Sequence, residues 1–170
     1  YLNFQAYPES DPEEVLTPWH LKEMQRRLFS KPGILWFLHN AKFDMAMLAN
    51  EGCELAGTIH CTKAQGLVEW NEHQGYDLAS SLERIGLTKD DAVEKWLLEQ
   101  GEGKGWDWEK FEHKKKREKN FHYDRAPFNL IVPYGLKDAM GTFALGEMEI
   151  ASITSRSEKI VAQNSKAKPV

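Results

Sequence analysis

A chain of 170 residues with 41% hydrophobic and 28% charged residues has the makeup of an ordinary globular protein, and is long enough to bury a core as one domain. A formal net charge of −4 argues against a uniformly basic nucleic-acid binder. It leaves room for a metal-dependent nuclease, which gathers acids at its site and needs only a local basic rim. Two cysteines, Cys53 and Cys61, are too few for a disulfide framework and point to a reducing compartment.

The sequence shows no signal peptide and no initiator methionine, and its longest apolar run, residues 34–38, is far too short to span a membrane. Residues 1–6 alternate apolar and polar, the pattern of a half-buried strand, so the chain reads as a fragment that opens in mid-domain. YPESDPEE is an acidic, turn-rich loop. Thr17 and Pro18 then supply an N-cap and a first helical residue, and Leu21, Met24 and Leu28 predict an amphipathic helix over 18–29, closed by Lys31-Pro32-Gly33. Residues 34–38 are apolar on both faces, as a central strand covered by helices on each side would be.

The stretch LHNAKFDMAML (38–48) takes that dry strand straight into an Asn, a Lys and an acid. Two readings fit. Asn40 is an N-cap with Asp44 in the first turn, favoured by the helix macrodipole. Alternatively, the strand end presents chemistry, as carboxyl ends of strands do in α/β folds. Met45, Met47 and Leu48 continue a helix to about Asn50, a stripe that suits core filling.

A short strand is predicted at 57–60, then helices at 63–70, 77–85 and 88–99, the last opened by Thr88 with Asp90 and Asp91 in its first turn. Residues 101–124 are charged and aperiodic, a long surface excursion. Its run Lys114-Lys115-Lys116-Arg117 is either a solvated face or a phosphate contact. Trp106, Trp108 and Phe111 either anchor the loop or stack bases. Order resumes at 128–133, and a final helix is predicted from about Tyr134 with Leu136, Met140, Phe143 and Leu145 on its apolar side. From about Ser155 the text is polar. The expected layout is thus a domain over 1–151, with the insertion at 101–124, and a tail or linker over 152–170.

Tyr134 and Asp138 in YGLKD are four residues apart and stack on one helical face. Alone, such a pair reads as a core Tyr with a solvated Asp. Joined to HNAKFD (39–44) in this order and spacing, it resembles the second and third motifs of the DEDD (DnaQ-like) 3′–5′ exonuclease superfamily, tyrosine branch. The closest likeness is to the proofreading domain of phage-type family A DNA polymerases, and it extends over the text HCTKAQGLVEWNEHQGYDLASSLERIGLTKDDAVEKW and HYDRAPFNLIVPYGLKDA.

The resemblance implies a ribonuclease H-like α/β fold, a mixed central sheet flanked by helices, here lacking its first strand. It implies a site of four carboxylates around two Mg²⁺ or Mn²⁺ ions, whose chemistry suits hard oxygen ligands. Asp44 and Asp138 correspond to catalytic metal ligands, Tyr134 to the residue that orients the attacking water, and Asn40, Lys42 and Phe43 to residues lining the substrate cleft. The implied substrate is the 3′ end of single-stranded DNA, released as nucleoside 5′-monophosphates. The implied partner is a polymerase domain in the same or another chain, and the setting is the cytoplasm, that of the host if phage-encoded.

The family's first motif, Asp-x-Glu on the first strand, has no match. Asp11-Pro12-Glu13 shares its letters but lies in a turn-rich loop with Pro between the acids. The first strand is therefore expected upstream of Tyr1, and the 170-residue chain by itself is expected to be inactive. The alternatives are a non-catalytic module that binds single strands or braces a polymerase, and an exonuclease acting on RNA. His39 reads as packing rather than as a base. His60-Cys61 lacks partner ligands at metal spacing, and Cys61 reads as a small buried residue.

Overall fold

The computed structural model describes residues 17–71, 75–101 and 123–166. The expected strand at 1–6, the acids Asp11 and Glu13, the Lys114–Arg117 run and the aromatics Trp106, Trp108 and Phe111 lie outside them. The chain falls into two compact units, Tyr1–Met24 with Lys89–Ala139, and Gln25–Thr88 with Met140–Val170. Among the described residues no helix is long and apolar enough to cross a membrane.

In the second unit, β1 (Leu35–Leu38) runs parallel to β2 (Thr58–Cys61), with Leu35 opposite Thr58 and Leu38 opposite Cys61. Parallel neighbours need a crossover, and α2 (Ala41–Asn50) supplies it. The return into β2 turns on Gly57, at φ +99°. A Cβ there would lie 2.3 Å from the Ile34 carbonyl oxygen, the same oxygen that accepts the Thr58 N–H at 2.9 Å. Only glycine fits that approach. The predicted strands are thus found, shifted by a residue.

The strand at 34–38 is less dry than its composition implies. Leu35 is 42% exposed, and neither β1 nor β2 has a fully buried residue. The described sheet is two strands wide, so each strand has an edge with no strand beside it among the described residues. The methionine stripe is likewise not core: Met45 is 42% and Met47 52% exposed, and α2 buries only Ala41.

The helix predicted over 18–29 is two pieces, α1 (Pro18–Met24) and a π-helical turn, Gln25–Phe29. The wider turn, closed by Ser30 N–H to the Gln25 carbonyl at 2.9 Å, lets two side chains face the same unit. Gln25 bonds the Glu54 backbone in both directions, at 3.0 and 2.9 Å, and Phe29 meets Trp36 edge-on. Helix α3 (Thr62–Glu69) follows β2 directly. Helix α4 (Leu78–Arg84) is capped by Asp77, whose carboxylate accepts Ser80 N–H at 3.1 Å and Ser80 O–H at 2.7 Å. These bonds hold the Asp77 carboxyl below its ordinary pKa.

Helix α6 (Phe128–Lys166) gives residues up to Ala139 to the first unit and the rest to the second. In the second unit it buries Leu145 and Glu149 completely. Gly146 stands so close to Phe37 that a Cβ would be 2.1 Å from the ring. The polar stretch expected to be a tail is helical through Lys166. The Thr154 and Ser157 hydroxyls fold back onto the carbonyls four residues earlier, both at 2.9 Å, satisfying themselves inside the helix.

In the first unit, α5 (Ala92–Gly101), the 3₁₀ turn Tyr123–Arg125 and the opening of α6 enclose Val93, Leu97, Ile131 and Tyr134, with Trp96, Tyr123, Ala126 and Leu130 packed against them. Helix α5 starts later than its predicted Thr88, because Asp90 accepts Ala92 N–H at 2.8 Å. Helix α6 starts at Phe128, ahead of its predicted Tyr134, with Leu130 and Ile131 bonded to the Pro127 carbonyl. Pro133 therefore falls inside the helix. It forgoes one backbone bond, which the burial of Ile131 and Tyr134 offsets. Thr17 precedes α1 as predicted, with one addition: its N–H donates to His20 Nδ1 at 3.0 Å.

Candidate active site

The first cluster forms where β1 ends. His39 and Asn40 make the two-residue turn into α2, and Asn40 has φ 69° and ψ 48°, a left-handed conformation that Asn tolerates better than most residues. Its side chain makes no capping bond. The backbone does that work instead, the Asn40 carbonyl accepting Phe43 N–H at 2.9 Å. The capping reading therefore fails for the Asn40 amide, which is exposed along with Lys42 and Phe43.

Asp44 lies in the first turn of α2 and is partly buried; desolvation alone lifts its pKa. Beside the turn, His39 is pinned. Nε2 lies 3.1 Å from the Tyr76 carbonyl and Nδ1 2.9 Å from the Thr62 hydroxyl. A carbonyl can only accept, so Nε2 carries the proton, and Nδ1 of the neutral ring accepts from Thr62. Burial lowers the His39 pKa and keeps the ring neutral. It is a structural residue. Cys61 also serves here, its sulfur accepting Ala41 N–H at 3.4 Å; it is partly exposed rather than buried. His60 pairs with Glu149, Nε2 to Oε2 at 2.7 Å.

The second cluster lies on the opening turns of α6, in the other unit. Tyr134 is 8% exposed, a core residue whose ring stacks on Tyr123 with centroids 5.7 Å apart. Asp138 is one turn further on, partly buried. No spacing rule places Lys89 there, yet its ammonium donates to the Tyr134 hydroxyl at 2.5 Å and lies 3.8 Å from Asp138 Oδ2. Glu94 follows at 3.5 Å from the same ammonium and accepts the Tyr123 hydroxyl at 2.8 Å. The neighbouring Asp90 is taken by Lys137.

Asp138 Oδ1 is buried with no hydrogen-bond partner among the described residues. Desolvation raises the Asp138 pKa, Lys89 opposes it, and Glu94 and Asp90 add to the rise. For Lys89 burial works against the charge, but the Tyr134 hydroxyl, Asp138 and Glu94 more than offset it, so its pKa is raised. The Tyr123 phenol is pushed far up, first by burial and then by its bonds to Tyr134 and Glu94. Among the described residues no group of three or more His, Cys, Asp or Glu is arranged to hold a metal ion.

Lys89, Glu94 and Tyr123 are the residues that sequence reasoning missed. Lys89 and Tyr134 are 45 positions apart, and no spacing rule links them. The one available hint was a lysine, Lys89, just ahead of an acid-rich helix start.

Compared with known proteins, residues 11–147 match the family model described as 3′–5′ exonuclease, of the DNA polymerase A type. No curated protein and no solved structure matches the chain. The mostly helical α/β fold, with its small parallel sheet, is consistent with a ribonuclease H-like exonuclease domain.

Proposed function

Since the chain belongs to the 3′–5′ exonuclease family of the DNA polymerase A type, we propose that it removes nucleotides from the 3′ end of single-stranded DNA in the proofreading manner, as nucleoside 5′-monophosphates. One observation carries the assignment of residues. A buried carboxylate oxygen without a partner, Asp138 Oδ1, stands one helical turn from a tyrosine hydroxyl. Unlike the orphaned oxygen of Glu149, which sits on a carboxylate paired with His60, this one stands beside a tyrosine hydroxyl and a lysine ammonium, which favours a ligand site.

The chemistry of these donors suits the divalent ions that the family implies. Asp44 and Asp138 are hard oxygen ligands of the kind Mg²⁺ and Mn²⁺ take, and the orphaned Oδ1 is a donor in want of a partner. When bound, paired ions stabilise charge on the attacking and leaving oxygens of an in-line displacement. The chain's own residues have other work. Asp138 in the first unit and Asp44 in the second would each offer a carboxylate to such an ion. Tyr134, accepting from Lys89 and bonded to Asp138, holds its hydroxyl beside that carboxylate, where it would orient water. Asn40, Lys42 and Phe43, exposed at the start of α2, line the path of the strand, with Lys42 facing phosphates and Phe43 offering a stacking surface. A polymerase domain is the fitting partner, and a phage-like replication system in a host cytoplasm the fitting setting.

The test is the fate of a 5′-labelled single-stranded oligodeoxynucleotide incubated with Mg²⁺ or Mn²⁺ and the native protein in which this chain occurs. Stepwise shortening from the 3′ end is expected. Retention of the strand without shortening would favour a binding module, and faster shortening of the matching oligoribonucleotide would favour an RNA substrate.

A further inference from the structure

We propose that Lys89 is the resident counter-cation of the Tyr134–Asp138 pair, and that a divalent ion must displace it to reach Asp138. This rests on reading Asp138 as a metal ligand.

The geometry of Lys89 is that of a cation committed to this site. Its ammonium donates to the Tyr134 hydroxyl at 2.5 Å and stands 4.9 Å above the same ring's centroid. It lies 3.5 Å from Glu94 and 3.8 Å from Asp138. The side chain is only 22% exposed, unusual for a residue that normally keeps its head in water. Ordering so long a chain costs rotamer freedom, which a surface ion pair would not return.

The pairing is also incomplete in a telling way. At 3.8 Å from Oδ2 the ammonium neutralises Asp138 without hydrogen-bonding it closely; the Tyr134 hydroxyl bonds the carboxylate, while Oδ1 keeps no partner among the described residues. The carboxylate is charge-balanced yet under-coordinated. A dication binds such an oxygen directly, and two cations on one carboxylate repel in a half-buried setting. Lysine, a point charge on a flexible four-carbon stem, is suited to giving way. Glu94, bonded to both Lys89 and Tyr123, offers the displaced ammonium a second anion on α5.

The experiment is a titration of the native protein in which this chain occurs with Mn²⁺ alone, by calorimetry at fixed ionic strength. The variants are Lys89→Met, Asp138→Asn and the pair together. Removing the competitor should tighten Mn²⁺ binding roughly tenfold, and Asp138→Asn should remove that binding in either background. Equal or weaker Mn²⁺ binding by Lys89→Met, with Asp138→Asn still disruptive, would overturn the inference and leave the ligand assignment standing. Mn²⁺ binding indifferent to Asp138→Asn would overturn both. A second reading needs no variant: Lys89 in the unaltered chain should acetylate several-fold faster at saturating Mn²⁺, and an unchanged rate counts against displacement.

Discussion

His60 and Glu149, 89 positions apart, meet at 2.7 Å, and the carboxylate is completely buried. The pair ties β2 to α6 inside the second unit. Glu149 Oε1 has no partner among the described residues, and burial raises the carboxyl's pKa against the opposing pull of His60. Removing one partner of such a pair leaves a charge stranded, whereas removing both is often tolerated. His60→Leu should therefore cost about 3 kcal/mol, and His60→Leu with Glu149→Leu should recover most of it. Urea unfolding of the three proteins measures this. A double variant as unstable as the single would show that the pair is favourable in its own right.

At Gly146, α6 comes hard against β1. A Cβ would stand 2.1 Å from the Phe37 ring, which is already fixed edge-on by Phe143 and His60. Gly146→Ala gains about 1 kcal/mol of helix propensity, but overpacking costs about 1–3 kcal/mol. Net destabilisation is expected, relieved when Phe37→Leu is added. A stabilised Gly146→Ala would mean that α6 shifts freely on the strand.

For His39, burial lowers the pKa, so the folded ring stays neutral where the unfolded one protonates. The sign follows directly. Stability from this group is full above the ordinary histidine range, about pH 6.5, and is lost as pH falls toward the folded pKa. Histidine-ring NMR should find His39 titrating below about 6.5 and protonated on Nε2 when neutral. A midpoint above the ordinary value would contradict the burial argument.

Much of the fold was legible because local rules governed it. Asp77 had the residue type, the position and the Ser80 partner of a cap, and α4 starts beside it. The paired strands followed from apolar runs. The errors share one cause, which is dependence on contacts distant in sequence. The start of α5 moved because Asp90, held by Lys137 from 47 positions away, caps Ala92. Pro133, an apparent boundary, is held inside α6 by burial of its neighbours. At the site, YGLKD put Tyr134 and Asp138 on one face, but Lys89 reached Tyr134 from 45 positions away.

Tyr134→Phe separates packing from chemistry. The ring keeps its stack on Tyr123, while the hydroxyl that accepts from Lys89 is lost. Activity of the native protein should fall roughly 10–10²-fold, less than full loss of a general base. The stability change should stay near 1 kcal/mol. An unchanged rate in a folded variant would reduce Tyr134 to a core residue.

The decisive measurement is the rate of 3′-end shortening of single-stranded DNA by Asp138→Ala against the unaltered native protein, both with saturating Mg²⁺. Loss of a metal ligand forfeits about 4 kcal/mol of transition-state stabilisation, roughly a thousandfold in rate. Asp138 Oδ1 has no partner to lose among the described residues and Glu94 remains beside the Lys89 ammonium, so the same change should leave the protein folded with at most a modest fall in melting temperature. Asp44→Ala should slow the reaction to a similar degree. A folded Asp138→Ala protein that shortens DNA at near-normal rate would contradict the assignment of the site.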